Sequence, residues 1–312
     1  MLKTPVCDLL GIEHPVIQGG MTYLASAVLV AAVSDAGGLG ILGTGNAPAD
    51  WVREQIGLVR MLTDRPFGVN VMLRSPFAEE VMKAIIEEKV PVVATGGGDP
   101  SSYLPQLRSV GSKIVPVVST VAASKRLEEL GADAVVAEGA ESGGHVGEVT
   151  TMALLPRVVD SVSIPVIAAG GIADGRGLAA ALALGAQAIQ MGTRFICTEE
   201  CIAHPRFKER IIEADGRSAI VIGRSTGHPI RCLENELTRE FLATPKGEAS
   251  LEKYFRSRKL YSGVIEGNTE DGFLMAGQSV GLIKEIATAK EVVEQVVAEA
   301  EMIIGSFSRY LN

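Results

Sequence analysis

The chain has few cysteines, few aromatic residues and no long apolar segment. Its four cysteines form no CxxC pair, and Cys197 and Cys201 have no histidine at zinc-finger spacing behind them. We therefore expect no metal site and a reduced, cytoplasmic setting. The apolar stretch at residues 25–33 is too short to span a bilayer, and the N-terminus lacks the layout of a signal peptide. These absences predict an intracellular protein without a membrane segment.

Positive charge is also scarce. The net charge is −8 and the isoelectric point is about 5.2, which argues against the extended basic surface that nucleic-acid binding requires. Hydrophobic residues make up 47% of the chain, enough for a large core. A length of 312 residues fits either two average domains or one α/β barrel.

Eight short apolar segments, rich in β-branched residues, recur along the first two thirds of the chain. Each is followed by ten or more residues of helix-like pattern, including a helix from Pro48 to about Leu62 and a small-residue helix that Gly185 ends. Continuous apolar strands are typical of a parallel sheet covered on both faces, and eight successive units predict a (β/α)8 TIM barrel of the α/β class. The predicted strands are residues 15–18, 39–42, 67–71, 91–95, 113–118, 133–137, 165–168 and 188–191.

The pattern becomes polar and irregular after the eighth strand. The barrel is predicted to cover residues 1–203, and residues 204–271 to form a mostly helical insertion or substrate subdomain. Within the C-terminal segment, residues 272–312, a helix over residues 280 to about 304 is predicted to return to the barrel. Apolar barrel helices are also compatible with a homodimer.

Glycine is concentrated directly after the predicted strands, where the active sites of such barrels lie. Gly170-Gly171 follows the seventh strand and Gly192-Thr193 follows the eighth. Loops at these two positions often bind phosphate through backbone N–H groups. The alternative, that the glycines only turn the chain, explains one such loop better than two in matching positions. We therefore expect a ligand with a phosphate group at this end of the barrel.

The loop after the sixth strand combines two carboxylates, Glu138 and Glu141, with Gly143-Gly144 and His145. Glycine lets a backbone approach a ligand closely, and histidine exchanges a proton near neutral pH. We predict that His145 takes part in the chemistry. The alternative is a histidine that is only held by local hydrogen bonds.

Asn70 follows the third strand and has two interpretations. Its amide suits the polar edge of a heterocycle, but an asparagine in a loop is also a common turn residue. The remaining histidines, His14, His204 and His228, lie in no comparable setting, so we predict no functional role for them.

Five motifs follow one another through the predicted barrel. They are Ile17-Gln18-Gly19-Gly20-Met21, Phe67-Gly68-Val69-Asn70, Ala137-Glu138-Gly139 with Ser142-Gly143-Gly144-His145, Ile167-Ala168-Ala169-Gly170-Gly171-Ile172, and Gln190-Met191-Gly192-Thr193-Arg194-Phe195. Together they resemble the enoyl-acyl carrier protein reductase II and nitronate monooxygenase family of FMN-dependent barrels. The resemblance reaches Gly277-Gln278-Ser279 near the end of the chain.

The resemblance implies a non-covalently bound FMN at the barrel mouth. Gly20 and Met21 would lie against its ring, and Asn70 and Glu138 would bind its polar groups. Gly143 and Gly144 would pass beside it. The phosphate end would be held by Ala169, Gly170, Gly171, Met191, Gly192 and Thr193.

Two activities of the family would use these same residues. In the reductase, FMN transfers hydride from NAD(P)H to the 2,3 double bond of an enoyl-acyl carrier protein thioester in fatty acid synthesis, and His145 would activate the thioester carbonyl or supply a proton. In the nitronate monooxygenase, an alkyl nitronate is oxidised with oxygen, and His145 would contact the nitronate. Whole-chain resemblance is closer to the reductase, which we predict. A phosphate-ligand-binding barrel without redox activity is the third interpretation.

One stretch of the acidic chain concentrates positive charge. Lys253, Arg256, Arg258 and Lys259 place four positive charges within seven residues. Because an acyl carrier protein is acidic, this patch is a candidate docking site for it. A solvated helix face is the alternative interpretation.

Overall fold

A closed barrel of eight parallel strands forms the centre of the computed structural model, which describes residues 2–244 and 258–310. The strand order is β1-β2-β3-β4-β5-β6-β8-β9, and pairing of β1 with β9 closes the barrel. The strands, in chain order, are β1 Val16–Gln18, β2 Leu39–Gly43, β3 Phe67–Met72, β4 Val92–Gly96, β5 Lys113–Val118, β6 Val135–Glu138, β7 Gly144–His145, β8 Val166–Ala169, β9 Ala188–Met191, β10 Ala219–Ile222 and β11 Ile230–Leu233.

The predicted (β/α)8 barrel is confirmed, and each of the eight predicted strands is present close to its predicted bounds. The apolar segments form strands because both of their faces are covered, by the barrel interior and by the outer helices. All five residues of β2, for example, are buried. The buried polar side chain of Gln18 is satisfied by β2, since its amide accepts from Ile41 N at 3.2 Å and donates to Ile41 O at 3.3 Å.

Helices alternate with the barrel strands and pack around them. Pro48 is the N-cap of its helix instead of lying in the first turn, and the helix that Gly185 follows ends as predicted, with Gly185 at φ +93°. The α-helices are α1 Pro5–Leu10, α2 Ala27–Asp35, α3 Ala49–Leu62, α4 Ala78–Glu87, α5 Leu104–Ser109, α6 Val121–Glu129, α7 Thr151–Val159, α8 Gly175–Ala183, α9 Thr193–Ile196, α10 Pro205–Glu213, α11 Glu236–Ala243, α12 Lys259–Val264 and α13 Ala289–Ser306.

The polar region after the barrel contains a hairpin as well as helices. Strands β10 and β11 pair in antiparallel fashion, and β11 also pairs with β7 in the loop after β6. Helices α10, α11 and α12 belong to the same region. The two strands are short and separated by polar residues, so local pattern did not indicate them. Their pairing places the hairpin beside the carboxyl ends of the barrel strands.

The C-terminal helix begins later than predicted. Gln278–Leu282 is a 3-10 helix, and α13 starts at Ala289, so the predicted start at residue 280 is wrong. A capping box sets the start: Glu291 N donates to Thr288 Oγ1 at 3.2 Å, and the Glu291 carboxylate accepts from Thr288 N at 2.8 Å. Helix α13 packs against α8, where a Cβ on Gly175 would lie 2.5 Å from Ala300 N.

Within the described ranges, no helix is long and apolar enough to cross a membrane. The same part of the chain shows no group of three or more histidine, cysteine or acidic side chains placed to hold a metal ion. All four cysteines are buried and form no disulfide.

Candidate active site

A cavity of about 460 Å³ opens at the carboxyl ends of the barrel strands. Sites that bury a small molecule typically measure about 300–1,000 Å³. Loops that follow barrel strands line it together with the turn between β10 and β11. Every residue predicted to bind cofactor or to act in catalysis lies in its wall: Gly20, Met21, Asn70, Glu138, Gly143, Gly144, His145, Ala169, Gly170, Gly171, Met191, Gly192 and Thr193.

Asn70 lies within β3, so its interpretation as a turn residue is wrong. Gly20 packs directly against it, because a Cβ on Gly20 would lie 2.4 Å from Asn70 Cβ. The Asn70 carbonyl accepts from Thr44 Oγ1 at 2.9 Å, whereas the Asn70 amide group makes no hydrogen bond to a described residue. The amide is therefore available to a polar ligand in the cavity.

The glycine loops after β8 and β9 offer backbone donors to the cavity. Gly170 and Gly171 adopt left-handed φ values of +97° and +76°, which favour glycine. The N–H groups of Gly171, Ile172 and Gly192 donate to no acceptor among the described residues. Gly171 and Gly192 are accessible from the cavity and Ile172 is buried in its wall, so these three unpaired donors are suited to the oxygens of a phosphate.

Thr193 has a structural contact that the sequence did not indicate. Its hydroxyl accepts a hydrogen bond from Gly277 N at 2.9 Å. The side chain therefore holds the segment around Gly277 against the barrel, while the residue still lines the cavity.

The loop after β6 crosses the segment around Gly277 in backbone contact. A Cβ on Gly143 would lie 2.7 Å from Ala276 C, and a Cβ on Gly277 would lie 2.6 Å from Glu141 O. Gln278 N donates to Glu141 O at 2.9 Å across the same crossing. Only glycine fits at both positions without a shift of the backbone.

Glu141, the second carboxylate of this loop, is used by the fold. Its side chain accepts from Thr151 N at 2.9 and 3.1 Å and lies 2.9 Å from Thr151 Oγ1, at the start of α7. Thr151 Oγ1 is also 3.0 Å from Gly170 O. Glu141 thus joins the loop after β6 to the loop after β8.

Glu138 has an unusual environment for a carboxyl group. Although part of the residue is accessible from the cavity, enclosure of its carboxyl raises its pKa to about 7, and the Ser142 hydroxyl counters only part of this rise. Ser142 Oγ is buried and reaches hydrogen-bond geometry with no described residue. Near neutral pH, Glu138 is therefore protonated in a large fraction of molecules and can donate as well as accept a hydrogen bond.

His145 lies in β7, and its backbone pairs with Ile230 of the hairpin. Withdrawal from bulk water lowers the pKa of His145, and the positive charge of Arg74 lowers it further. The residue as a whole keeps exposed surface and lines the cavity. At pH 7 the imidazole is therefore mainly neutral, with one N–H donor and one acceptor.

Two titratable side chains of the cavity wall, Arg74 and His228, were not predicted from the sequence, and a role for His228 had been excluded. His228, which we did not predict to be functional, lines the cavity, and its Nδ1 lies 3.0 Å from Arg74 Nη1. Gly227-His228-Pro229 indicates a turn, but only the pairing of β11 with β7 places that turn over the barrel mouth. Nothing in the local sequence marks Arg74.

Arg231, also not predicted, joins the hairpin to the loop after β6. Its guanidinium donates to Ala140 O at 2.9 Å and to Ala219 O at 2.6 Å, and the side chain is buried. The contact to Ala140 links residues 91 positions apart. Such a contact cannot be derived from local sequence pattern.

Comparison with known proteins places the whole chain in one family. Residues 3–299 match the nitronate monooxygenase family. The chain is 47% identical to FabK from Thermotoga maritima, with a TM-score of 0.97 over 99% of this chain and all of the other.

Two further relatives match over nearly their full lengths. A (3aS,4S,5R,7aS)-5-hydroxy-7a-methyl-1-oxo-octahydro-1H-indene-4-carboxyl-CoA dehydrogenase from Mycobacterium tuberculosis is 34% identical over 96% of each chain. A probable nitronate monooxygenase from Staphylococcus saprophyticus is 31% identical over 97% of this chain and 99% of its own.

The cavity fits the flavin that enzymes of this family use. The Asn70 amide has no hydrogen-bond partner among the described residues, the N–H groups near Gly171 and Gly192 lack acceptors, and Glu138 is enclosed without a cationic partner. The family match and the similarity to FabK contradict the interpretation as a barrel without redox activity. The chain belongs to the nitronate monooxygenase family of flavin-dependent oxidoreductases.

Proposed function

We propose that the protein is an FMN-dependent reductase that uses NAD(P)H to saturate the 2,3 double bond of enoyl-acyl carrier protein thioesters. The observation that supports this most is the similarity to FabK, an enoyl-acyl carrier protein reductase II, over the full length of both chains. The relative from Mycobacterium tuberculosis acts, by its name, on a coenzyme A thioester. Thioester substrates thus occur in more than one similar protein.

The cavity walls divide the binding of FMN between two regions. Asn70 and the protonatable Glu138 would hold the polar groups of the ring, and the N–H groups of Gly171, Ile172 and Gly192 would hold the phosphate. When bound, FMN supplies the hydride carrier between NAD(P)H and the double bond. The protein supplies position, exclusion of water and hydrogen bonds.

His145 would polarise the thioester carbonyl by a hydrogen bond. Of the two roles predicted for it, the lowered pKa favours this one, because a neutral imidazole keeps an N–H donor. Direct proton donation would need the charged form, which burial and the positive charge of Arg74 disfavour. A hydrogen bond to the carbonyl oxygen stabilises the negative charge that develops there as hydride reaches the β-carbon.

Nitronate monooxygenase is the second candidate function. The matched family and the relative from Staphylococcus saprophyticus both have this name. The cavity mouth would also suit an anionic nitronate, since Arg74, His145 and His228 all line it.

Anaerobic mixing of the FMN-loaded protein separates the two functions. One portion receives NAD(P)H followed by a crotonyl thioester, and the other receives an alkyl nitronate. We expect rapid loss of the flavin absorbance with NAD(P)H and its recovery with the thioester. Bleaching by the nitronate alone would overturn the reductase proposal and support the monooxygenase.

Docking of an acyl carrier protein at the basic patch is part of this proposal. Arg258 pairs with Glu266 at 3.4 Å and Lys259 pairs with Asp271, which reduces the positive charge the patch presents. Lys253 and Arg256 lie outside the described residues. The domain division at residues 203 and 271, homodimer formation and a cytoplasmic location also stay predictions.

A further inference from the structure

We propose that Arg74 and His228 form a phosphate-binding subsite at the mouth of the cavity, for a phosphate group of the thioester's pantetheine arm or of the nicotinamide dinucleotide. The identity of these two ligands rests on the proposed function. The subsite itself is inferred from the geometry and charge of the two side chains.

The two side chains come from distant parts of the chain and meet at the cavity mouth. Arg74 follows β3, and His228 lies in the turn between β10 and β11, yet Arg74 Nη1 is 3.0 Å from His228 Nδ1. Both residues are exposed and both line the cavity. They therefore lie where they would contact the outer part of a ligand bound in the cavity.

The contact between them fixes which donors remain for a ligand. Arginine can only donate, so Nδ1 of His228 accepts and the neutral ring carries its proton on Nε2. Arginine has five N–H donors, and His228 uses one of them. The other donors of Arg74 reach no acceptor among the described residues. The pair thus presents unused N–H groups on both members.

The charge of Arg74 is also uncompensated within the described part of the chain. Arg74 forms no ion pair there, whereas some exposed arginines elsewhere do, for example Arg126, which pairs with Asp99 at 2.5 Å. Other exposed arginines, such as Arg157 and Arg224, also lack an ion pair among the described residues, but of these three only Arg74 lines the cavity. The charge of Arg74 also acts on the loop after β6, since it contributes, after burial, to the lowered pKa of His145.

A phosphate matches these features better than a neutral group would. Arginine binds phosphate oxygens through two parallel N–H donors, and the Nε2–H group of His228 adds a third. Both co-substrates of the proposed reaction contain phosphate groups at a distance from their reacting atoms. A contact there would contribute to ligand affinity without taking part in hydride transfer.

The test compares ligands that differ in their phosphate. Calorimetric titration of the FMN-loaded protein uses pantetheine 4′-phosphate and pantetheine as one pair. The second pair is NADH and dihydronicotinamide riboside, compared through the concentration dependence of flavin bleaching under anaerobic conditions. We expect Arg74→Ala to weaken binding of one phosphate-containing ligand by roughly tenfold and to leave its phosphate-free partner unchanged.

If the affinity for pantetheine 4′-phosphate falls, the phosphate that binds here belongs to the pantetheine arm. If the affinity for NADH falls, it belongs to the nicotinamide dinucleotide. Arg224→Ala is the matched control, since Arg224 is an exposed arginine in the same turn but does not line the cavity. Arg74→Lys should keep part of the affinity, because it keeps the charge but not the paired donors. Equal effects of Arg74→Ala on both members of each pair, or no effect on any ligand, would overturn the subsite. Failure of an enoyl thioester to restore flavin absorbance would instead overturn the proposed function, and the calorimetric result would still stand.

Discussion

His145 is the residue on which the proposed chemistry depends most. We expect His145→Ala to retain FMN and to lower kcat about 100-fold or more, in the range that removal of a positioned hydrogen-bonding or acid–base group produces. His145→Gln should recover part of this loss, because the glutamine amide still offers an N–H donor. Near-normal kcat of His145→Ala at saturating substrate would show that the role is wrong.

The lowered pKa of His145 predicts the direction of the pH dependence. The neutral form is the active one in this proposal, so kcat/KM for a short crotonyl thioester should fall as the pH drops below about 6.5, the ordinary pKa of histidine. His145→Gln should lose this acidic limb. An activity that rises on acidification through this range would instead indicate the charged imidazole as proton donor.

The raised pKa of Glu138 predicts how the stability of the flavin-free protein depends on pH. Its pKa is about 7 in the fold against 4.5 ordinarily, so the folded state binds the proton more tightly than the unfolded state does. Ionisation therefore costs stability as the pH rises from about 4.5 through 7. We expect Glu138→Gln to raise the free energy of unfolding by on the order of 2–3 kcal/mol at pH 8 and by little at pH 4.5. Urea unfolding at the two pH values measures this, and an equal change at both would contradict it.

At the scale of elements, the active site depends on close backbone crossings. Gly277→Ala would place a Cβ 2.6 Å from Glu141 O and 3.1 Å from Gly143 N, which are backbone atoms that cannot rotate away. We expect a loss of about 1–3 kcal/mol of stability, together with weaker FMN binding. Thermal unfolding and a flavin fluorescence titration measure the two effects.

Gly305→Ala is the matched control for this substitution. Gly305 lies in α13, and a Cβ there would meet no atom within 4 Å. Alanine in a helix is favoured over glycine by roughly 0.5–1 kcal/mol, so this variant should be as stable as the original or slightly more stable. Similar behaviour of both variants would show that the crossing at Gly277 tolerates a side chain.

The hairpin after the barrel contributes to the cavity wall because it is connected to the loop after β6. Strand β11 pairs with β7, and Arg231 bonds to Ala140 within that loop. The same hairpin places His228 beside Arg74. A region whose sequence looks like a polar insertion therefore forms one wall of the active site.

At the scale of the whole molecule, the proposed docking of an acidic carrier protein depends on the positive charge of the basic patch. Reversal of charge at Arg256 and Arg258 should raise KM for the carrier-linked substrate and leave KM for a short coenzyme A thioester unchanged. Reversal at Arg60 and Arg65, which precede β3 at the amino end of the barrel, is the control with equal change in net charge. Equal effects of the two double variants would remove the docking proposal.

The barrel and most of the cavity wall could be predicted from the sequence because their signals are local. Each strand is a short apolar segment of its own, and the order of the glycine motifs assigns Gly20, Gly171 and Gly192 to the same end of the barrel. A parallel barrel brings the carboxyl ends of its strands together whatever the details of packing.

Tertiary structure alone decided the rest, since those features depend on residues far apart in the chain. Arg74 and His228 are 154 positions apart, and only the hairpin pairing brings them together. Enclosure sets the pKa values of Glu138 and His145, because a pKa follows from solvent and charge around the group and not from its neighbours in sequence. The sequence by itself determined the barrel, the family and the end of the barrel where the cavity lies. The folded structure determined which residues at that end keep hydrogen-bonding groups without a protein partner. It also determined the protonation states of Glu138 and His145.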